Sequence, residues 1–332
     1  MNRPMPPRPL VLLTNPIHPA VHASLAHTLQ VRVAAGTDAH TLCREAREAS
    51  YIVVRAPLPA ALFADAPRLR GVVRHGAGLD MIPIEAASTH GVAVANVPGV
   101  NARSVAEYVV AQMLQLARHL ARIDRSVRGD GWDNARAMAD DAEDLHGKTV
   151  TIVGMGAIGR ALAAICSHGL GMRVIGVRRR PGADEALFTD MPLDAALPQT
   201  DYLVLACPLT DATRGLIGRR QLALLRPHAR LVNVSRGPVL DTEALVDALR
   251  NGRLRGAALD VFDSHPLPPD APLRDCAQVL LSPHLAGITR ESMQAMSEVA
   301  AEQVLQMHQG QLPRHFVNPE AQERILARWS QP

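Results

Sequence analysis

Residues 149–164, TVTIVGMGAIGRALAA, decide the fold of this chain. A β-branched run ends at Val153, glycines follow at Gly154, Gly156 and Gly159, and a helix-forming stretch opens with Arg160-Ala161-Leu162. Strand, glycine turn and helix in that order make the phosphate loop of a dinucleotide-binding unit. Gly154 allows the tight turn and Gly156 lets the backbone approach a pyrophosphate. Gly159 lets the helix pack close to the strand, its N-terminus aimed at the phosphates. Met155, Ala157 and Ile158 complete the loop. Gly76-Ala77-Gly78 is a contrast: its third glycine position holds Met81, so it is no dinucleotide loop.

Around this loop, short apolar runs alternate with helical stretches. Downstream and including the loop's own strand, Thr149–Val153, Arg173–Val177, Tyr202–Ala206, Arg230–Val234, Ala257–Val261 and Val279–Leu281 read as strands. Upstream, Val31–Val33, Tyr51–Val54, Gly71–Arg74 and Val92–Asn96 do the same, with helices opening near Asp38 and Ile84. Such alternation predicts parallel sheets with crossover helices. An unbroken helical pattern from Asn101 to Arg122 connects the two halves, and an amphipathic helix near Arg290–Gln309 is expected to pack back on the first. The expectation is a substrate domain from 1–100 and 288–332 and a dinucleotide-binding domain over 101–287.

A length of 332 residues agrees with two domains of roughly 150 residues each. Apolar residues at 47% and charged residues at 20% exclude a disordered chain. A net charge of +3 without a long basic run gives no reason to expect nucleic acid as a partner. Cys43, Cys166, Cys207 and Cys276 are far apart and form no CxxC pair, so neither a disulfide framework nor a metal site is expected. Arg3 and Arg8 precede Leu10–Leu13, too short an apolar run for a secretory leader. No window approaches the roughly 18 apolar residues that span a bilayer, so the chain reads as cytoplasmic with no membrane partner.

The second strand of the dinucleotide unit ends in Val177-Arg178-Arg179-Arg180. An acidic residue about 20 positions past the glycines marks a site for NAD, where it binds the ribose 2′-hydroxyl. Guanidinium groups there match a 2′-phosphate instead. Arg178 and Arg179 therefore predict NADP(H) as the preferred cofactor, with NAD the alternative.

Ligands of open parallel sheets sit beyond the carboxyl ends of the strands. Those ends carry Cys207-Pro208, Ser235-Arg236-Gly237, Asp260 and Ser282-Pro283-His284. Hydride transfer to a ketone needs a cation to hold a carboxylate and polarise the carbonyl, and a proton donor near neutral pH; Arg236 and His284 suit these roles.

With these residues assembled, the chain resembles the D-isomer specific 2-hydroxyacid dehydrogenase family along nearly its whole length. The match rests on Gly76–Asp80, NARSVAE from Asn101, Gly154–Gly159, CPLTDATRGL from Cys207, NVSRGPVL from Asn233, ALDVF from Ala258 and SPHLAG from Ser282. The resemblance implies an α/β protein of two Rossmann-like, doubly wound parallel-sheet domains, the cofactor domain inserted in the substrate domain, assembled as a homodimer. It implies that Arg236 binds the carboxylate and carbonyl of a small 2-keto or 2-hydroxy acid, with His284 the proton donor. It gives the nicotinamide carboxamide to Asp260 and further cofactor contacts to Cys207, Pro208, Thr213, Val234, Ser235 and Gly287. The backbone at Gly76, Ala77 and Gly78 would cradle the substrate carboxylate, with Arg55 and Asn101 lining the substrate side.

One position departs from the family pattern. Where the family places a glutamate before a proline to hold the catalytic histidine, this chain reads Asp263-Ser264-His265-Pro266. Three readings follow: His265 holds His284 as a neutral hydrogen-bond acceptor, which is the preferred one; Asp263 substitutes; or catalysis is lost and cofactor binding kept. A dinucleotide-sensing binding protein is the alternative from another class, and formate or phosphite oxidation the alternative among enzymes.

Overall fold

The computed structural model describes residues 8–180 and 186–330; Arg3 lies outside them. The chain divides into two compact units, one formed by residues up to Asn101 together with Thr289 onward, the other by Ala102–Ile288.

In the first unit, five parallel strands, β1 (Leu10–Leu13), β2 (Gln30–Val33), β3 (Ala49–Val54), β4 (Gly71–Arg74) and β5 (Ala93–Ala95), lie in the order β2-β1-β3-β4-β5. A parallel sheet is covered on both faces, so its inner strands are apolar on both. Val11, Leu13, Tyr51, Val53 and Val73 join one core with Met296, Ala300 and Val304 of the helix Arg290–His308. Leu10, Leu12, Ile52, Val54 and Val72 point the other way, onto Leu42 and Phe63. The run Leu10–Leu13, read above only as too short for a leader, is thus an interior strand of this sheet.

In the second unit, seven parallel strands carry the order β12-β11-β10-β9-β6-β7-β8. They are β6 (Thr149–Val153), β7 (Arg173–Val177), β8 (Thr189–Asp190), β9 (Tyr202–Leu205), β10 (Arg230–Asn233), β11 (Gly256–Leu259) and β12 (Val279–Leu281). The chain winds outward from β6 through β7 to β8, then returns to β9 and winds the other way. The order reverses between β6 and β9, where α/β sheets open a ligand crevice at the carboxyl edge.

The connecting helix is shorter than its apolar pattern predicts. It runs over Ala102–Arg118, and a second helix, Leu120–Gly129, begins after His119. His119 adopts a left-handed backbone at φ 55°, which ends the first helix, while the Gln115 side chain accepts the Ala121 amide at 3.0 Å.

Candidate active site

The phosphate loop forms where its sequence places it. Gly154 has φ 103°, and a Cβ there would lie 2.7 Å from the backbone of Cys207. A Cβ on Gly159 would stand 2.2 Å from the Gly154 carbonyl oxygen, so only glycine lets the helix Ala157–Ala164 seat this close to β6. Gly156 differs: nothing lies within 4 Å of a Cβ built there, and the residue is exposed. An open backbone cradle at a helix N-terminus fits the pyrophosphate of a dinucleotide. Met155 turns its side chain into the core, Ala157 is exposed and Ile158 half-buried, so the loop offers backbone rather than side chains.

Beyond β9, Cys207 is buried and Pro208 exposed. Thr213 staples this loop: its Oγ1 donates to the Pro208 carbonyl at 2.7 Å and accepts the Thr210 amide at 2.8 Å. After β10, half-buried Val234 leads into a turn built by Asn233, whose Oδ1 accepts both the Ser235 amide (3.0 Å) and the Ser235 hydroxyl (2.7 Å). The Asn233 Nδ2 donates to the Arg236 carbonyl at 3.2 Å, and Arg236 Nη1 donates to the Ser235 carbonyl at 2.7 Å. One arm of the guanidinium is therefore anchored to its own turn.

Asp260 follows β11 and is 1% exposed. Its Oδ1 accepts the Ser282 hydroxyl at 2.7 Å and the Leu285 amide at 2.9 Å, and its Oδ2 accepts the Ala286 amide at 2.8 Å. Its carbonyl accepts the His284 amide at 2.8 Å. His284 sits half-buried inside this clasp with a left-handed φ of 54°, and Gly287 follows it, also half-buried. The His265 ring lies 5.7 Å from the His284 ring between centroids, tilted by 39°.

In the first unit, the loop after β4 is held from behind. Arg74 donates to the carbonyls of Val54 (3.0 Å), His75 (2.7 Å) and Gly78 (3.2 Å), the Val97 amide donates to the Gly76 carbonyl (2.9 Å), and Asn96 Nδ2 donates to that of Ala77 (2.8 Å). In a trans peptide the N–H points opposite to the C=O. Holding the carbonyls of Gly76, Ala77 and Gly78 therefore turns the amides of Ala77, Gly78 and Leu79 the other way, as an anion cradle requires. Arg55 donates to the Pro16 carbonyl and to Met293 Sδ at 3.9 Å, both neutral partners, and burial pulls its pKa below the usual arginine range. Asn101, half-buried, ends this stretch of the unit.

His75 is buried behind this loop. Its pKa is lowered to about 4 by burial first, then by the charges of Arg55 and Arg74. The Ser297 hydroxyl gives its proton to the Met293 carbonyl (2.6 Å), so across the 2.8 Å contact His75 Nε2 is the donor. The neutral Nε2–H tautomer satisfies both groups. As pH falls, the unfolded chain protonates His75 near 6.5 and the folded chain only near 4. Stability conferred by neutral His75 is present above 6.5 and is lost through that window, amounting to about 3 kcal/mol. In urea unfolding at pH 7 and pH 4.5, His75→Gln, which keeps an N–H for Ser297, is expected to show a flatter fall than the parent; equal slopes would remove His75 from the account.

Comparison with known proteins agrees with this geometry. The family model described as "D-isomer specific 2-hydroxyacid dehydrogenase, NAD binding domain" matches residues 110–286. A glyoxylate reductase of Aeropyrum pernix is 38% identical over 94% of this chain and 97% of its own length. The chain belongs to the D-isomer specific 2-hydroxyacid dehydrogenase family. Among solved structures, a protein of Thermus thermophilus superposes with a TM-score of 0.86 at 32% identity, covering 93% of this chain and 99% of that one. An NADPH-dependent glyoxylate/hydroxypyruvate reductase of Sinorhizobium meliloti, solved with NADP and malonate, gives 0.82 at 29% identity, covering 93% and 97%.

Within this dehydrogenase, three sequence expectations change. Arg178 is half-buried, with Nε 3.3 Å from Asp190 Oδ1 and its guanidinium 5.1 Å over the Phe188 ring. The chain brings a carboxylate and an aromatic face back to it at the sheet edge, engaging its Nε and one guanidinium face, while Arg179 is exposed. His265 Nε2 accepts the Phe262 amide at 3.4 Å. That lone pair is then occupied; a neutral His265 carries its proton on Nδ1, and the acceptor role toward His284 expected above does not follow from this tautomer. Asp263 does not substitute either, since its Oδ2 accepts the Thr242 hydroxyl at 2.7 Å. Asn233 braces the turn of the second unit from within the NVSRGPVL motif, where sequence reading gave it no role, and Arg74 and His75 brace the loop of the first unit with no motif marking them. Their one common sequence signal is a polar residue at the carboxyl end of a strand, or just past it.

Proposed function

We propose that this dehydrogenase reduces a small 2-keto acid of the glyoxylate or hydroxypyruvate type to the D-2-hydroxy acid, with NADPH as the preferred cofactor. The observation that carries this reading is that Arg236 and His284 stand on the same carboxyl edge as the open glycine cradle. A nicotinamide dinucleotide held on the glycine cradle would supply the hydride for this reduction. Arg236 pairs with the substrate carboxylate and draws electron density toward the carbonyl oxygen. His284 gives that oxygen its proton and is reprotonated from solvent. In the first unit, the amides around Gly76–Gly78 are assigned hydrogen bonds to a carboxylate, and Arg55, whose charge reaches His75 beside that loop, adds a cation. Cys207, Pro208, Thr213, Val234, Ser235 and Gly287 are assigned to the cofactor, as is whatever hydrogen-bonding capacity Asp260 retains beyond its own clasp.

Arg179 is assigned the 2′-phosphate. Turnover of glyoxylate and hydroxypyruvate with NADPH and NADH, followed by cofactor absorbance, tests the reading. NADPH is expected to have the higher kcat/KM, and Arg179→Ala to lower it roughly ten-fold or more while sparing NADH. A parent enzyme preferring NADH would sink the NADP assignment, and absence of turnover with every 2-keto acid tried would sink the reaction.

Leu120, Val127 and Trp132 on two adjoining helices are 48%, 47% and 71% exposed, and we assign this apolar surface to a homodimer contact. Four free thiols accord with a cytoplasmic location; no helix of the described residues is long and apolar enough to cross a membrane.

A further inference from the structure

We propose that Tyr108 is a positioning residue for His284, acting through Ser282 and Asp260. The inference rests on the reading of His284 as proton donor, and it begins from a hydroxyl chain. The phenol oxygen of Tyr108, on the connecting helix Ala102–Arg118, is hydrogen-bonded to Ser282 Oγ. Ser282 has a single hydroxyl proton, and a carboxylate can only accept, so across the 2.7 Å contact that proton goes to Asp260 Oδ1. Tyr108 must then be the donor to Ser282. The chain is directional: Tyr108 to Ser282 to Asp260. Burial raises the Tyr108 pKa above the usual phenol range, so the donor stays protonated wherever the enzyme works.

Asp260 is where this chain meets the catalytic turn. Its backbone carbonyl takes the amide of His284, and its two carboxylate oxygens take the amides of Leu285 and Ala286. Three consecutive N–H groups are thus gathered by one residue. They need to be, because a non-glycine residue in a left-handed backbone is strained and persists only where its surroundings over-determine it. The exposed His265 ring supplies no negative charge in place of the family's glutamate. The orientation of His284 therefore draws on the clasp beneath it, and Tyr108 fixes the direction of the Ser282 hydroxyl within that clasp. Tyr108 lies near the start of the second unit and Ser282 near its end, so the bond also ties the entering helix to the leaving turn.

The test uses the NADPH-loaded enzyme with glyoxylate. Tyr108→Phe keeps the ring and its packing and removes only the hydroxyl. It is expected to lower kcat roughly five- to twenty-fold, with the KM for glyoxylate and the affinity for NADPH held within about two-fold. Ser282→Ala is expected to do at least as much, Ser282→Thr to restore parental kcat, and the double variant Tyr108→Phe/Ser282→Ala to be no slower than Ser282→Ala alone. Parental kcat in Tyr108→Phe, or multiplicative losses in the double variant, would overturn the proposal. Amide exchange read by mass spectrometry gives a readout independent of turnover. Segment 284–286 is expected to exchange at least about ten-fold faster in Tyr108→Phe, while β9 is unchanged. If the parent enzyme reduces no 2-keto acid, the proton-donor reading fails by itself, whereas unchanged exchange at 284–286 in Tyr108→Phe overturns the clasp whatever the substrate.

Discussion

Arg236→Gln is expected to lower kcat/KM for a small 2-keto acid by roughly 10²- to 10³-fold, with NADPH affinity nearly unchanged. Glutamine keeps a hydrogen-bond donor on a shorter side chain and removes the charge assigned to the substrate carboxylate. Arg236→Lys keeps the charge and is still expected to fall well short of the parent, because one ammonium cannot reproduce a planar bidentate fork. The geometry explains why position as well as charge matters. Asn233 draws in the Ser235 amide and hydroxyl and holds the Arg236 carbonyl, and Arg236 Nη1 holds the Ser235 carbonyl. A new side chain inherits the turn but not that anchor. Steady-state kinetics with fluorescence titration of NADPH separate the two effects. Parental kcat/KM in Arg236→Lys, or a loss confined to NADPH affinity, would contradict the assignment.

What could be read from the sequence and what could not divide along a physical line. The glycine loop was legible because its demands are steric and local: φ at Gly154 and close approach at Gly159 leave few residue types possible. The positions of Arg236 and His284, though not their roles, were legible because sheet topology sends strand ends to one edge. Leu10–Leu13 was not legible as a strand, since four apolar residues near a terminus carry no periodicity of their own and acquire their place only by pairing with β2 and β3. The break at His119 was hidden for a similar reason: the apolar stripe continues through it, and the left-handed residue is fixed by contacts from Gln115 and the loop carrying Glu143, whose amide donates to the Ala117 carbonyl at 3.0 Å. Arg178 looked like a cofactor arm because Phe188 and Asp190 return to it only in three dimensions. His75, Arg74 and Tyr108 are polar residues whose partners are fixed by the fold rather than by any motif spacing.

His284→Asn is expected to cost roughly 10²- to 10⁴-fold in kcat for keto-acid reduction, leaving NADPH binding in place. Asparagine tolerates the left-handed backbone that this position adopts at φ 54°, so the turn and its Asp260 clasp survive while the titrating proton is lost. The loss therefore reports proton donation rather than collapse of the loop, and amide exchange at 285–286 should match the parent. Retention of more than about a tenth of parental kcat would remove His284 from the donor role. His265 is expected to influence the pH range over which that donor works. On the proposed mechanism reduction needs a protonated His284, so the rate is expected to fall as pH rises and the proton is lost. A carboxylate close to an imidazole favours the protonated form. The ring that stands 5.7 Å away in this chain has its Nε2 lone pair taken by the Phe262 amide and brings no such charge. In the neutral ring the remaining Nδ1–H can only donate, and donation toward an imidazole disfavours the protonated form of that partner. His265→Glu is accordingly expected to carry the alkaline limb of the reduction profile upward by about one pH unit, with kcat at low pH little changed. An unmoved limb in that variant, with His284→Asn inactive, would mean that proton donation is set by the Asp260 clasp alone.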